Sequence, residues 1–178
     1  MTDKRLLDKL SAAAVARAGA RLVILIDGRS GAGKTTLAAS LAQHLASYLN
    51  CPVQLVSLDD CYPGWGGLAA GAATVPDMLS PDPGYRRYDW AVGHLAEWVP
   101  LDPAAPIIIE GSGALTPASA ELASLRIWLD APEPIRRQAV EDRDGPTEDW
   151  WQLWATQEET HITTNNPEQL ADVSIQLF

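Results

Sequence analysis

The sequence predicts an α/β fold in three layers, a parallel sheet of about five strands with helices on both faces. Three observations carry this expectation. Residues 22–26, Leu-Val-Ile-Leu-Ile, form a wholly apolar run of the kind buried on both sides in a parallel sheet. Residues 28–35 fit G-x-x-x-x-G-K-[ST], and Leu37, Leu41 and Leu45 then recur every fourth residue, so that strand, loop and helix follow in the order the motif requires. Further apolar runs alternate with helical patterns along the rest of the chain, which is the signature of a doubly wound sheet.

The elements can be placed in order. Residues 3–18 read as an amphipathic helix, with Leu6, Leu7, Leu10 and Ala14 on one face. The first strand and its loop follow, and the next helix runs from Lys34 to about Asn50, where Pro52 ends it. Residues 53–57 are a second strand running into Asp59 and Asp60. Residues 61–88 hold Pro63, Pro76, Pro81 and Pro83, and are expected to be irregular except for a short helix at 75–79. Such a long connection is usually functional or mobile. Residues 89–99 read as a helix with Val92, Leu95, Trp98 and Val99 inward. Residues 107–109 and 125–129 are two more buried strands, ending at Glu110 and Asp130. Pro132 opens a helix to about Arg143. Gly145-Pro146 breaks it, and Thr147, Glu148 and Asp149 make an acidic start for a further helix through Trp151, Trp154 and Glu158. Residues 172–177 are a short last strand. Residues 1–178 are read as one domain of the P-loop NTPase type, with 61–88 as an acceptor-side loop and 132–160 as lid-like helices.

The phosphate loop names its own chemistry. Gly28, Arg29, Ser30, Gly31, Ala32 and Gly33 let consecutive amides curl inward as an anion nest. Lys34, Thr35 and Thr36 begin the helix whose free amides and dipole favour the same anion. Lys34 is the mobile charge for the outer phosphates, and the Thr35 hydroxyl suits Mg2+ bridging them. The expected ligands are therefore ATP and Mg2+.

Ligands in such a sheet bind beyond the C-terminal strand ends, where Asp59, Asp60, Glu110 and Asp130 fall. Glu110 is read as the second metal-side acid or an acceptor-orienting group. Asp59 is read as a base for an acceptor hydroxyl, with Asp60 as the neighbouring alternative, and Asp130 as a structural contact. Arg136 and Arg143, seven apart, share a helix face, and with Arg137 they could swing over a transferring phosphate. Tyr62 and Trp65 follow Asp59 and are placed along an acceptor pocket. Trp150, Trp151 and Trp154 are read as packing a helix on the core. His44, His94 and His161 lack metal-ligand spacing.

The 178 residues carry a formal charge of −10. That argues against a nucleic-acid or anionic-membrane partner, which lysine and arginine would have to hold. Positive charge must then be concentrated locally, with Lys34, Arg86, Arg87, Arg136, Arg137 and Arg143 as the supply. Cys51 and Cys61 make neither a disulfide framework nor a zinc set. With no leader-like or membrane-length apolar run, a cytoplasmic location is expected.

Residues 27–36, Asp-Gly-Arg-Ser-Gly-Ala-Gly-Lys-Thr-Thr, resemble the D-G-x-S-G-x-G-K-[ST]-[ST] loop of the uridine kinase, phosphoribulokinase and pantothenate kinase group. Asp59-Asp60-Cys61-Tyr62 is similar to the D-x-F-Y segment of uridine kinases, which implies that Asp59 is the acceptor-side base. Glu110-Gly111 matches their E-G segment and implies a role with metal and acceptor. Tyr88-Asp89 resembles their F-D segment and implies that Asp89 contacts the acceptor, and the 136–143 arginines fall where that group keeps lid arginines. The chain departs from uridine kinases at Cys61, Trp90 and Ala91, and residues 63–88 do not follow their uridine-binding insert. The resemblance implies a kinase scaffold that moves a phosphoryl group from ATP to a hydroxyl of a small metabolite, with a nucleoside as one acceptor. Lys34, Asp59, Arg137 and Arg143 are then the catalytic candidates. Thr35 and Glu110 are the metal candidates, and Asp59, Tyr62, Arg86, Asp89 and Glu110 the acceptor contacts. Two other readings use the same loop: an ATPase or switch acting through a protein partner, and a nucleotide binder without catalysis. No N-K-x-D guanine signature is present.

Overall fold

The computed structural model describes residues 3–176. Helix α1 (Lys4–Ala16) begins at Asp3, whose carboxylate accepts from the Arg5 amide. Strand β1 (Val23–Gly28) is buried throughout, and α2 (Lys34–Leu49) follows the loop and ends at Asn50 in the left-handed region. Strand β2 (Gln54–Ser57) runs into a 3₁₀ turn, Leu58–Asp60. Then come α3 (Leu68–Ala73), α4 (Val75–Met78), β3 (Gly84–Asp89), β4 (His94–Pro100) and β5 (Ile107–Glu110). The rest is α5 (Pro117–Ala120), β6 (Leu125–Asp130), α6 (Glu133–Asp144), α7 (Trp151–Asn165), α8 (Pro167–Leu170) and β7 (Val173–Gln176).

The main sheet has five parallel strands in the order β2-β5-β1-β6-β7. Strand alternation divides the core in two. Ile24, Ile26, Ile108 and Ile127 pack against Leu7 and Leu10 of α1 and Leu37 and Leu41 of α2. Val23, Leu25, Ile107 and Ile109 face Leu68, Val75, Met78 and Trp154 on the other side. Both faces are thus covered by helices, which is why β1 and β5 are apolar without alternation. Register sets the loop against the acids: Ile26 lies opposite Glu110, and so does Ser57 at the end of β2.

Several expectations are corrected. Residues 89–99 are not helical. β3 and β4 form an antiparallel hairpin outside the main sheet. Val92, Leu95 and Trp98, expected inward, are exposed, while Val99 packs against the core. The turn explains the error. The Asp89 carboxylate accepts from the Ala91 and Val92 amides, and the Asp89 carbonyl accepts from Gly93, whose φ of 76° completes a hairpin loop that a helix would not need. Residues 61–88 are also more ordered than expected, holding α3 and most of β3 besides α4, the helix foreseen at 75–79. Asp59 and Asp60 lie in the 3₁₀ turn after β2 and not on a strand end. Finally, α7 begins only at Trp151: residues 148–150 form a turn, and the Thr147 hydroxyl donates to Glu141. Leu177 of the expected last strand lies outside the described residues.

Candidate active site

The loop after β1 is built to stay open toward a ligand while its back is pinned. Gly31 has φ 80°, and a Cβ there would stand 2.1 Å from the Arg136 carbonyl oxygen on α6. Only glycine allows that close approach. Arg136 itself is buried. Its Nε donates to the Ala131 carbonyl at 2.8 Å and Nη1 to the Ser30 carbonyl at 3.2 Å, with the guanidinium also against the Trp151 ring. It therefore fastens α6 to the loop. Asp130 lies 3.5 Å from Arg136 and accepts from the Ala131 amide.

Lys34 is largely buried, and its Nζ donates to the Arg29 carbonyl at 3.1 Å and to Ser112 Oγ at 3.4 Å. Thr35 Oγ1 donates to Glu110 Oε1 at 3.1 Å. Glu110 is 2% exposed. Burial raises its carboxyl above the ordinary range, against the pull of the Lys34 charge and of hydrogen bonds from Ser57 and Thr35, with Asp59 adding to the rise.

A cavity of about 540 Å³ opens above these groups. Ser30, Gly31, Gly33, Lys34, Thr35 and Thr36 form its floor. Asp59, Glu110 and Ser112 form one wall, and Arg143 and Asp144 from the end of α6 another. The remaining wall is aromatic: Trp65 stacks on Trp150 at 4.4 Å with 14° between planes, Trp90 sits 5.0 Å from Trp65, and Tyr62 meets Trp154 edge-on at 4.8 Å. The Trp90 indole donates to the Asp59 carbonyl, joining the hairpin to the 3₁₀ turn.

The structure thus brings together eleven of the residues expected at the site: Ser30, Gly31, Gly33, Lys34, Thr35 and Thr36 of the loop, with Asp59, Tyr62, Trp65, Glu110 and Arg143 around it. It puts others elsewhere. Gly28 and Ala32 do not line the cavity, and Arg29 pairs with Glu159 at 2.7 Å. Arg137 pairs with Glu141 along α6. Arg86 donates to the Ala96 carbonyl on the hairpin, and Asp89 serves the hairpin turn. Asp60 is exposed and does not line the cavity. The Tyr62 hydroxyl is spent on the Ser112 carbonyl at 2.8 Å, and burial, then Asp59, Asp27, Glu110 and Glu158, keep it protonated far above the ordinary phenol range. Tyr62 therefore lines the cavity without a free hydroxyl.

Four residues at the site were not singled out. Asp27 is fully buried: Oδ1 accepts from the Gly28 and Gly113 amides, and Oδ2 from the Leu115 amide, with His161 Nε2 2.9 Å away. Ser112 stands between Lys34 and the buried Glu158. Trp90 comes from the hairpin mistaken for a helix. A signal existed only for Asp27, the acid that ends an otherwise apolar strand.

A metal fits this chemistry only in company. Among the described residues no cluster of three or more His, Cys, Asp or Glu could hold an ion by itself. Thr35 and Glu110 offer two adjacent oxygens beside the anion nest, the kind of partial site that magnesium completes with phosphates and water. Cys51 and Cys61 are free thiols. No described helix is long and apolar enough to cross a membrane.

No protein-family profile and no curated protein matches the chain. Solved structures do. A possible uridine kinase from Bacillus stearothermophilus is similar over 97% of this chain and 98% of its own, at 24% identity and a TM-score of 0.66. A proposed fructose transport system kinase from Silicibacter sp. TM1040 is similar over 98% of this chain and 99% of its own, at 19% identity and a TM-score of 0.61. At such identities the likeness speaks for architecture, and with the parallel sheet and loop described above it shows that this chain has the fold of the P-loop small-molecule kinases.

Proposed function

We propose that the protein is a magnesium-dependent kinase that transfers the γ-phosphoryl group of ATP to a hydroxyl of a small metabolite. The observation that carries the reading is the convergence of Lys34, Thr35, Asp59 and Glu110 on one cavity with an aromatic wall. In this reading the loop amides cradle the triphosphate, and Lys34 leaves the Arg29 carbonyl to bond the outer phosphates. Thr35 and Glu110 would hold magnesium, which when bound neutralises charge on the β- and γ-phosphates. The acceptor oxygen forms its bond to the γ-phosphorus as the bond to the ADP oxygen breaks. The hydroxyl proton passes to the Asp59 carboxylate, which lies at the cavity and is open to solvent. Arg143 offsets charge on the moving phosphoryl group.

The aromatic wall supports an acceptor with a flat face, and nucleosides are one such class. Charge supports one without an anionic group. In this reading Lys34 and Arg143 are taken up by the triphosphate, while Arg86, Arg87, Arg136 and Arg137 are engaged elsewhere. Asp59, Glu110 and Asp144 are the acids left on the cavity. The test is a screen of nucleosides, sugars and vitamins with ATP and magnesium, reading ADP release and the mass of the product. A new phosphorylated metabolite is expected. ADP release with no acceptor, accelerated by a protein partner, would replace this reading with an ATPase.

A further inference from the structure

The phosphate loop is held from behind by a residue the proposed reaction does not use. Glu158 on α7 is 3% exposed, and three donors converge on its Oε1: the Ser30 amide at 2.6 Å, Ser112 Oγ at 3.0 Å and Trp154 Nε1 at 3.0 Å. Each belongs to a different part of the cavity. Ser30 is in the loop, Ser112 touches Lys34, and Trp154 lies on the aromatic wall. Ser112 has one proton, with the Gly28 carbonyl and Glu158 both 3.0 Å away. Either acceptor leaves an oxygen lone pair for Lys34.

The contact is part of a wider attachment. Trp154, Glu158 and His161, spaced i, i+4, i+7, lie on one face of α7. His161 reaches Asp27, whose other oxygen takes the Gly28 amide, and the neighbouring Glu159 pairs with Arg29. A buried carboxylate is costly unless its bonds are made. If α7 were only packing on the sheet, an apolar side chain would do that at lower cost. A carboxylate makes sense here if the donors it gathers must move or stay together.

We propose that Glu158 is a positioning residue that ties the conformation of the phosphate loop to that of the aromatic acceptor wall. The acceptor half rests on the kinase reading above. The loop half needs only nucleotide binding, so the test does not depend on knowing the acceptor.

The experiment uses the full chain and three variants, Glu158→Ala, Glu158→Gln and Trp154→Phe, with magnesium-ATP affinity by calorimetry, tryptophan emission on titration, and melting temperature. The parent is expected to bind magnesium-ATP with a change in emission. Glu158→Ala should bind at least about tenfold more weakly, the loss expected for a hydrogen bond to a charged group, and should lose the emission change. Glu158→Gln, which keeps an accepting oxygen, should recover most of both. Trp154→Phe, which removes the indole donor to Glu158, should lose most of the emission change. A folded Glu158→Ala that binds and responds like the parent would mean that Glu158 only packs a helix, and the proposal falls. If that variant does not fold, an undiminished emission change in Trp154→Phe, or failure of Glu158→Gln to bind, overturns it. A parent that binds nucleotide without any emission change overturns the coupling alone, whereas a parent that binds none overturns the kinase reading as well.

Discussion

Thr35 Oγ1 donates a hydrogen bond to Glu110 Oε1 across 75 positions of sequence. The bond joins the first turn of α2 to the end of β5, and it exists because the parallel register puts Glu110 beside the last residues of β1 and β2. In the proposed reaction it sets a buried acid beside the magnesium and the phosphate chain.

The raised Glu110 carboxyl gives a signed pH dependence. Burial favours its neutral form, so over the window above the ordinary carboxylate range the folded, nucleotide-free chain binds more protons than the unfolded one. Stability from this group is present at low pH and is lost as pH rises through the raised value. Glu110→Gln should therefore melt higher than the parent at neutral pH, with the gap closing toward acid pH, while its magnesium-dependent ATP binding is lost. Melting curves of parent and variant across pH check this, and a gap that widens toward acid would contradict it.

Asp59 and Asp60 should separate cleanly. Asp59 lines the cavity and Asp60 does not. Asp59→Asn is expected to cut turnover about 10²–10⁴-fold, the usual contribution of a general base, with ATP affinity little changed. Asp60→Asn should stay within about threefold of the parent in both. Steady-state kinetics with the acceptor found by the screen decides, and comparable losses in the two variants would move the base away from Asp59.

The two arginines carried forward from the sequence should also differ. Arg137 is bonded to Glu141 along the helix, whereas Arg143 reaches the cavity. Arg143→Ala should lower turnover about a hundredfold if it offsets transition-state charge, and Arg137→Ala should leave it near the parent value. A larger loss from Arg137→Ala would mean that α6 turns during the reaction.

Gly31→Ala tests the fit of the loop under α6. A methyl group there meets the Arg136 carbonyl oxygen at 2.1 Å in a left-handed conformation. The variant should lose at least about 1 kcal/mol of stability and most of its ATP affinity. Chemical denaturation and calorimetry measure both, and a variant with unchanged values would show that α6 is free to lift off the loop.

Cys61 should be inert. Burial, then the charges of Asp60 and Asp59, push its thiol up to about 12, and alkylation requires the thiolate. Iodoacetamide at mildly alkaline pH should label the partly exposed Cys51 first, read by peptide mass. Rapid labelling of Cys61 in the folded chain would show that the segment from 58 to 62 opens readily.

How far the sequence reading reached follows the range of the interactions. The loop from Gly28 to Thr36, the strands around Ile24, Ile108 and Ile127, and the acid at Glu110 were all readable, because each is a local pattern of glycines, apolar runs or strand ends. The hairpin was not. Val92, Leu95 and Val99 satisfy a helical spacing, and the choice was made by the Asp89–Gly93 turn together with pairing between strands. The arginines were visible as a supply of charge, but their division between Glu141, Ala96, Ser30 and the cavity was not.

By its order of residues alone, the chain determined that a parallel sheet would carry a glycine-rich phosphate loop between its first strand and the next helix, since a glycine-rich turn between an apolar run and a helical stripe is a local pattern. Only the tertiary structure decided what surrounds that loop. Glu158 meets Ser30, Trp65 meets Trp150, and Asp27 meets His161 through contacts between segments far apart in the chain. Side chains at such separations come together only once helices have packed on both faces of the sheet, and no local periodicity records which of them will touch.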